Sequence, residues 1–280
     1  MKIIDTHQHL WDTTRFRYAW LESLPRLNRT FDLGHYREAS HELEIEKTVF
    51  LECDVDEDQI LFETQHVSQL AEQPESRIAA VVASARPEKD GFEAHIEKLR
   101  GYPRVKGIRR ILHTQPDELG QSQTFIRNVS KLAPYGLSFE ICVLARQLPI
   151  AITLVEQSPA VTFILDHCGV PQVKERILSP WREHLREISK FPNVFCKISG
   201  IVAYADPVNW RPADLQPFVE HVLECFGWDR VMFGSDWPVC TLAASCKRWV
   251  ETLVTLTKPA GAANQAKLFR ENAIKAYRLE

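Results

Sequence analysis

No apolar run in this 280-residue chain approaches the roughly 20 residues that a membrane-spanning helix needs. A helical membrane protein is therefore not expected. Basic residues are scattered and the formal net charge is -3, so neither nucleic acid nor an anionic membrane surface is an expected partner. There is no C-x-x-C pair. The cysteines (Cys53, Cys142, Cys168, Cys196, Cys225, Cys240 and Cys246) number seven, an odd count that a fully paired disulfide framework cannot accommodate. Several end apolar runs, where free cysteine behaves as a small hydrophobe, and a reducing, cytoplasmic compartment is expected. Only Ile3-Ile4 precede Asp5, too little apolar sequence for a secretory signal. A glycine-rich loop after the first strand is also missing, which weighs against a doubly wound dinucleotide-binding sheet. No glycine-rich, proline-rich or like-charge linker divides the chain, so residues 1–280 are expected to form a single domain.

What the chain does contain is a repeated alternation. Short apolar runs rich in β-branched and aromatic residues recur at Ile3-Ile4, 48–51, 78–82, 105–108, 137–143, 161–165, 194–198 and 231–233. They do not alternate polar with apolar, which is the pattern of parallel strands covered on both faces. Amphipathic segments lie between them. Phe92, Ile96 and Leu99 recur at helical spacing, as do Phe125, Val129 and Leu132, then Trp181, Leu185 and Ile188, then Leu215, Val219 and Val222. Pro87, Pro180 and Pro212 fall where helices could begin. Leu253 and Leu256, then Leu268, Ala273 and Tyr277, suggest closing helices. With 45% hydrophobic residues the chain can bury a large core. The α/β class is expected, as a slightly distorted (β/α)8 TIM barrel. Residues 12–41 form an insertion after the first strand, with Trp20, Pro25 and Phe31. It could be a lid or an ordered surface excursion.

Active sites of such barrels form at the carboxyl ends of the strands. The first strand ends in His7-Gln8-His9, and side chains two apart on a strand share a face. This H-x-H pair could build part of a metal site or a polar catalytic cluster. Glu52, at the end of the second strand, is expected to cap a helix or face solvent, the alternative being an inward position. Arg109 and Arg110 on the fourth point to opposite faces, so one could hold an anionic or polyhydroxylated substrate; the alternative is a pair of surface ion pairs. Glu140 on the fifth needs a partner or a proton. His167 stands at the mouth of the sixth. Lys197 on the seventh must find a carboxylate or a substrate oxygen, or lose its proton. Asp236 ends the eighth.

The stretches "IIDTHQHLWD", "VKGIRRILH", "LSFEICVLARQLP", "FILDHCGVP", "NVFCKISG" and "RVMFGSDWPVC" run from the first strand to the last. As a set the chain resembles the amidohydrolase superfamily, within it the TIM-barrel lactonase group that includes sugar-lactone hydrolases and 2-pyrone-4,6-dicarboxylate lactonase. The resemblance implies that His7, His9, His167 and Asp236 are the metal ligands, with Asp236 as general base and His167 a second catalytic residue. The sequence departs from the binuclear members. A bridging lysine is not evident on the fourth strand, and Glu140 stands where a histidine ligand is common. One divalent ion, zinc or manganese, is therefore expected in place of two, and the resemblance to lactonases thought to work without a required metal allows it to be dispensable. Trp11, Arg109, His113 and Lys197 are the expected substrate-binding residues.

The weak ligand set fits an ester-like bond better than an amide, so the expected reaction is hydrolysis of a sugar-acid lactone of the L-fucono- or L-rhamnono- type. A metal-dependent decarboxylase of an unsaturated or aromatic acid is the competing enzyme. A barrel that only binds a sugar acid is the non-enzymatic alternative. The expected partner is a small-molecule substrate; monomer and homo-oligomer stay open.

Overall fold

The computed structural model describes residues 1–73 and 75–279. Eight parallel strands follow one another around a single sheet in chain order: β1 (Ile3–Gln8), β2 (Ile45–Leu51), β3 (Ile78–Ser84), β4 (Val105–Ile111), β5 (Ser138–Cys142), β6 (Phe163–Leu165), β7 (Val194–Ile198) and β8 (Val231–Phe233). One principal helix follows each strand: α1 (Leu33–Ala39), α2 (Ile60–Ala71), α3 (Phe92–Leu99), α4 (Gln123–Ser130), α5 (Leu148–Gln157), α6 (Trp181–Ser189), α7 (Pro212–Phe226) and α8 (Cys246–Thr257). The expected (β/α)8 barrel is the observed fold.

The helical repeats were correctly legible because each buries one apolar stripe. Phe92, Ile96 and Leu99 of α3 are all buried, worth about 1.5–3 kcal/mol per side chain relative to exposure. Trp181, Leu185 and Ile188 do the same on α6. Pro212 opens α7 in its first turn and Pro180 precedes α6. Pro87 does not start a helix; it lies in the turn ahead of α3, which begins at Phe92.

The barrel closes beyond the formal end of β8. Asp236 N–H donates to the His7 carbonyl and His9 N–H to the Trp237 carbonyl, both at 2.8 Å. Asp5 ties the same seam. Its Oδ1 accepts from Ser235 N–H (2.7 Å) and its Oδ2 from Ser235 Oγ (2.5 Å) and the Tyr36 hydroxyl (2.8 Å).

The barrel interior is filled from the amino end. Ile4, Val49, Leu51, Ala80, Val82, Ile164, Phe195 and Met232 form one buried cluster with Ala273, Ala276, Tyr277 and Leu279 of the closing helical segment. That segment plugs one end of the barrel and leaves the other to polar side chains. Among the described residues no helix is long and apolar enough to cross a membrane. All seven cysteines are free thiols.

Candidate active site

Simple alternation along β1 does not explain how both histidines face inward. Ile4 packs in the interior cluster, and counting by twos from it would turn Thr6 and Gln8 inward. A register irregularity between Asp5 and Gln8 inserts one residue against β2. Such a bulge re-aims the side chains beyond it, and His7 and His9 turn to the centre. Their Nε2 atoms lie 3.2 Å apart. Gly234 of the β8 loop accommodates them, since a Cβ there would come within 2.6 Å of His7 Cβ.

Asp236 meets the pair. Its Oδ1 lies 3.6 Å from His7 Nε2 and 3.5 Å from His9 Nε2. Asp236 has a left-handed backbone, φ 56°, a conformation rare outside glycine but tolerated best by Asp and Asn. His9 Nδ1 faces the Leu51 carbonyl at 2.9 Å, so that nitrogen carries the proton and Nε2 presents a lone pair to the centre. This is the outer hydrogen bond that fixes the tautomer of a ligating histidine.

His167 arrives differently from the way a simple strand end would place it. His167, Cys168, Gly169 and Val170 all have positive φ, a tight left-handed excursion held by the Trp181 indole N–H on the Cys168 carbonyl (2.7 Å). The imidazole stacks at 4.4 Å, centroid to centroid, on His7, and its Nδ1 lies 3.1 Å from Ser199 Oγ. Four expected ligands do not converge on one point. His7, His9 and Asp236 form one group of potential ligands and His7, Asp166 and His167 another.

Arg109 is the inward member of its pair. Its guanidinium contacts Glu52 Oε1 (2.7 Å), Asp166 Oδ2 (3.3 Å) and His7 Nε2 (3.3 Å). Glu52 is thus an inward partner of Arg109, with Oε2 also accepting from Asp54 N–H. Arg110 turns outward to Glu88 at 2.9 Å.

Two expected substrate-binding residues are elsewhere. Lys197 is fully buried, 2.7 Å from Glu140 and 3.1 Å from Asp166. In the low-dielectric interior an ammonium must have such partners, and they take it away from the cavity. Trp11 lies behind His9, with ring centroids 6.5 Å apart, and its indole N–H is spent on the Arg29 carbonyl. It lines a separate hollow with Phe16, Phe31 and Glu63.

The cavity above the cluster measures about 340 Å³ and is bounded by His9, Arg109, His113, His167 and Asp236 together with Trp20, Leu24, Tyr204 and Leu242. Trp20, Ser23 and Leu24 come from the insertion, which therefore roofs the site. The Trp20 indole N–H is fixed on the Cys53 carbonyl (2.8 Å), and Arg26 bonds the Thr241 and Leu242 carbonyls at 3.0 and 3.1 Å.

Burial drives the ionisation pattern. It pushes His7 well below the ordinary histidine range and lowers His167 also. His113 is brought down to about 4 by burial, reinforced by His167 and Arg109. These imidazoles are neutral near pH 7. Burial would raise Asp166, but Lys197, His7 and Arg109 outweigh it and hold the carboxyl well below its usual range. Burial raises the Glu140 carboxyl, opposed by the Lys197 ammonium and the Tyr277 hydroxyl.

Asp166, Asp5 and Tyr204 carry parts of the site that sequence reasoning missed. Asp166 had a signal: it lies two residues beyond Ile164, on the same inward face. Trp20 was named within the possible lid, and its place over the cavity was left open because nothing local shows where an insertion lands.

The donor set passes a test for a single divalent ion. Three ligand atoms separated by 3.2–3.6 Å are close enough to hold one zinc-sized ion between them. Arg109 shares the His7 lone pair, which fits a weakly held ion. The second group, with Lys197 already paired to Asp166, is a poor site for another cation.

A (β/α)8 barrel with a histidine–aspartate cluster at the carboxyl ends of its strands is the framework of a hydrolytic enzyme. The chain belongs to the amidohydrolase family, whose model matches residues 4–279. It is 30% identical to the L-fucono-1,5-lactonase of Burkholderia multivorans, over 99% of this chain and 96% of that protein. It is 23% identical to the L-rhamnono-gamma-lactonase of Scheffersomyces stipitis, covering 99% of each. A crystal structure of an amidohydrolase from Burkholderia multivorans with bound zinc superposes with a TM-score of 0.89, at 29% identity over the whole of both chains. A 2,6-dihydroxybenzoate decarboxylase shares the fold alone, at 13% identity and a TM-score of 0.65.

Proposed function

We propose that this protein hydrolyses a sugar-acid lactone of the L-fucono- or L-rhamnono- type. The carrying observation is the Asp236 carboxylate within 3.6 Å of two imidazole nitrogens at the floor of a cavity sized for one sugar ring. The lactonase names of full-length relatives support the same reading.

Asp236 takes a proton from the attacking water and returns it to the ring oxygen as the acyl bond breaks, a role worth roughly 10²–10⁴-fold in rate. Arg109, held by Glu52 and Asp166, contributes fixed positive charge beside the reacting carbonyl. His167 donates a hydrogen bond to the developing oxyanion. Neutral His113 and the Tyr204 hydroxyl bond to substrate hydroxyls, and the Trp20 indole covers the ring and excludes water. His7, His9 and Asp236 would hold one divalent ion, zinc or manganese, which would polarise the carbonyl and acidify water. The free thiols fit a cytoplasmic setting.

Acid release from a panel of aldonolactones, with zinc, with manganese and with chelator, tests this. Ring opening of a deoxy-sugar lactone without carbon dioxide is expected. Silence across the panel under all three conditions, or carbon dioxide from an aromatic acid, would overturn it.

A further inference from the structure

Below the reacting centre a buried polar column runs down the barrel. The His7 Nδ1 atom faces Asp166 Oδ1 at 3.3 Å. The same Oδ1 lies 3.1 Å from Lys197 Nζ, which lies 2.7 Å from Glu140 Oε2. Glu140 Oε1 accepts a 2.6 Å hydrogen bond from the hydroxyl of Tyr277. Every member of this column is fully buried, and Tyr277 belongs to the closing segment that plugs the far end. The column therefore links the last helix to a histidine at the active end.

Each contact restrains the next. Glu140 has two oxygens and two partners, Tyr277 on one and Lys197 on the other. Lys197 has two carboxylates and sits between them. Asp166 is drawn three ways, by Lys197, Arg109 and His7. Asp166 Oδ1 makes no well-directed hydrogen bond with either His7 Nδ1 or Lys197 Nζ, so electrostatic attraction at 3.3 and 3.1 Å holds it to both. The position of Asp166 Oδ1, and with it the orientation of His7, is thus set by the balance at Lys197. Two hydrogen bonds at Glu140 and two electrostatic contacts at Asp166 make up the column, and in a low-dielectric interior such contacts are strong enough to couple neighbouring groups.

We propose that Tyr277, Glu140 and Lys197 are positioning residues for His7, acting through Asp166, with Tyr277 the remote end of the chain. The inference concerns the hydrolytic site proposed above. Removing the Tyr277 hydroxyl leaves Glu140 Oε1 without its donor. Glu140 then turns both oxygens toward Lys197 and draws the ammonium off Asp166, and the imidazole of His7 shifts with the carboxylate.

Y277F keeps the ring and removes only the hydroxyl. Two measurements on the full-length protein test it, each with and without added zinc: kcat and KM on the lactone that the wild type opens fastest, and the ¹⁵N resonances of histidine-labelled protein, with His7 assigned through His7→Asn. The expected result is kcat lower by about three- to tenfold at nearly constant KM, the size of effect a slight misplacement of a reacting group produces. The His7 resonances shift while those of exposed His41 do not. E140Q reads the same coupling should Y277F fail to fold, and the double variant should cost no more than the worse single one. A folded variant of lower thermal stability with unchanged kcat and unchanged His7 resonances would assign the column a structural role only and overturn the inference. If the wild type opens no lactone, the substrate proposal falls, and the resonances alone decide this one.

Discussion

Gly200 lies directly against the imidazole of His167. Its φ is 66°, and a Cβ at that position would fall far inside van der Waals contact with His167 Nδ1. Gly227 has a similar φ of 64° but open space where a Cβ would stand. The two glycines separate backbone strain from active-site displacement. Gly200→Ala should cost about 1 kcal/mol or more in stability and lower kcat at least tenfold by moving His167. Gly227→Ala should cost similar stability and leave kcat unchanged. Thermal melts and steady-state kinetics on both variants check this.

Asp236→Asn keeps the size of the side chain and removes its ability to take a proton. The expected loss in kcat is about 10²-fold or more, with a melting temperature within a few degrees of wild type. Residual activity within twofold of wild type would remove Asp236 from the reaction.

Lys197→Met leaves Glu140 and Asp166 buried without their shared cation. Breaking a buried ion pair on one side costs about 3–5 kcal/mol, so the melt should fall by on the order of 10 °C. Adding Glu140→Gln to the same chain should restore part of that loss. A Lys197→Met protein that melts like wild type would show that the column contributes nothing to stability.

The depressed histidines predict a pH dependence with a definite sign. His113 titrates near 4 in the folded protein and near 6.5 when unfolded. Between those values the unfolded chain binds the extra proton, so stability is full above about 6.5 and is lost as pH falls toward 4. Burial raises the Glu140 carboxyl against the pull of Lys197, and this acts oppositely, stability falling as pH rises above its unfolded value. Comparing melts of wild type and His113→Asn across pH 4–8 isolates the first effect. The wild type should lose more stability on acidification than the variant.

Metal content is the fifth measurement. Purified protein exposed to zinc should retain about one ion per chain, and His9→Ala should retain far less. Chelation should lower the melting temperature of the loaded protein, because an ion that binds only the folded state stabilises it.

The alternation of buried strands with one-sided helices was legible because burial follows local periodicity. Each apolar stripe needs only its own few residues to declare itself. The polar residues at strand ends, His7, His9, Arg109, His167 and Asp236, were legible for a related reason: in a barrel every such end opens on one mouth. Their partners were not. Lys197 on its strand reads equally as a substrate ligand or as half of a buried pair, and the choice was made by Glu140 on a strand two places away.

What the sequence determined by itself was the barrel and the inventory of groups at its mouth, since hydrophobic period and strand order are properties of neighbours along the chain. Tertiary structure alone decided which groups meet. The irregularity in β1 turned His7 and His9 inward, the left-handed turn at His167 aimed it at His7, and the insertion laid Trp20 over the cavity while Trp11 stayed behind it. Contacts of that kind depend on distances through space, where a single extra residue in a strand reverses a face, and no local pattern encodes them.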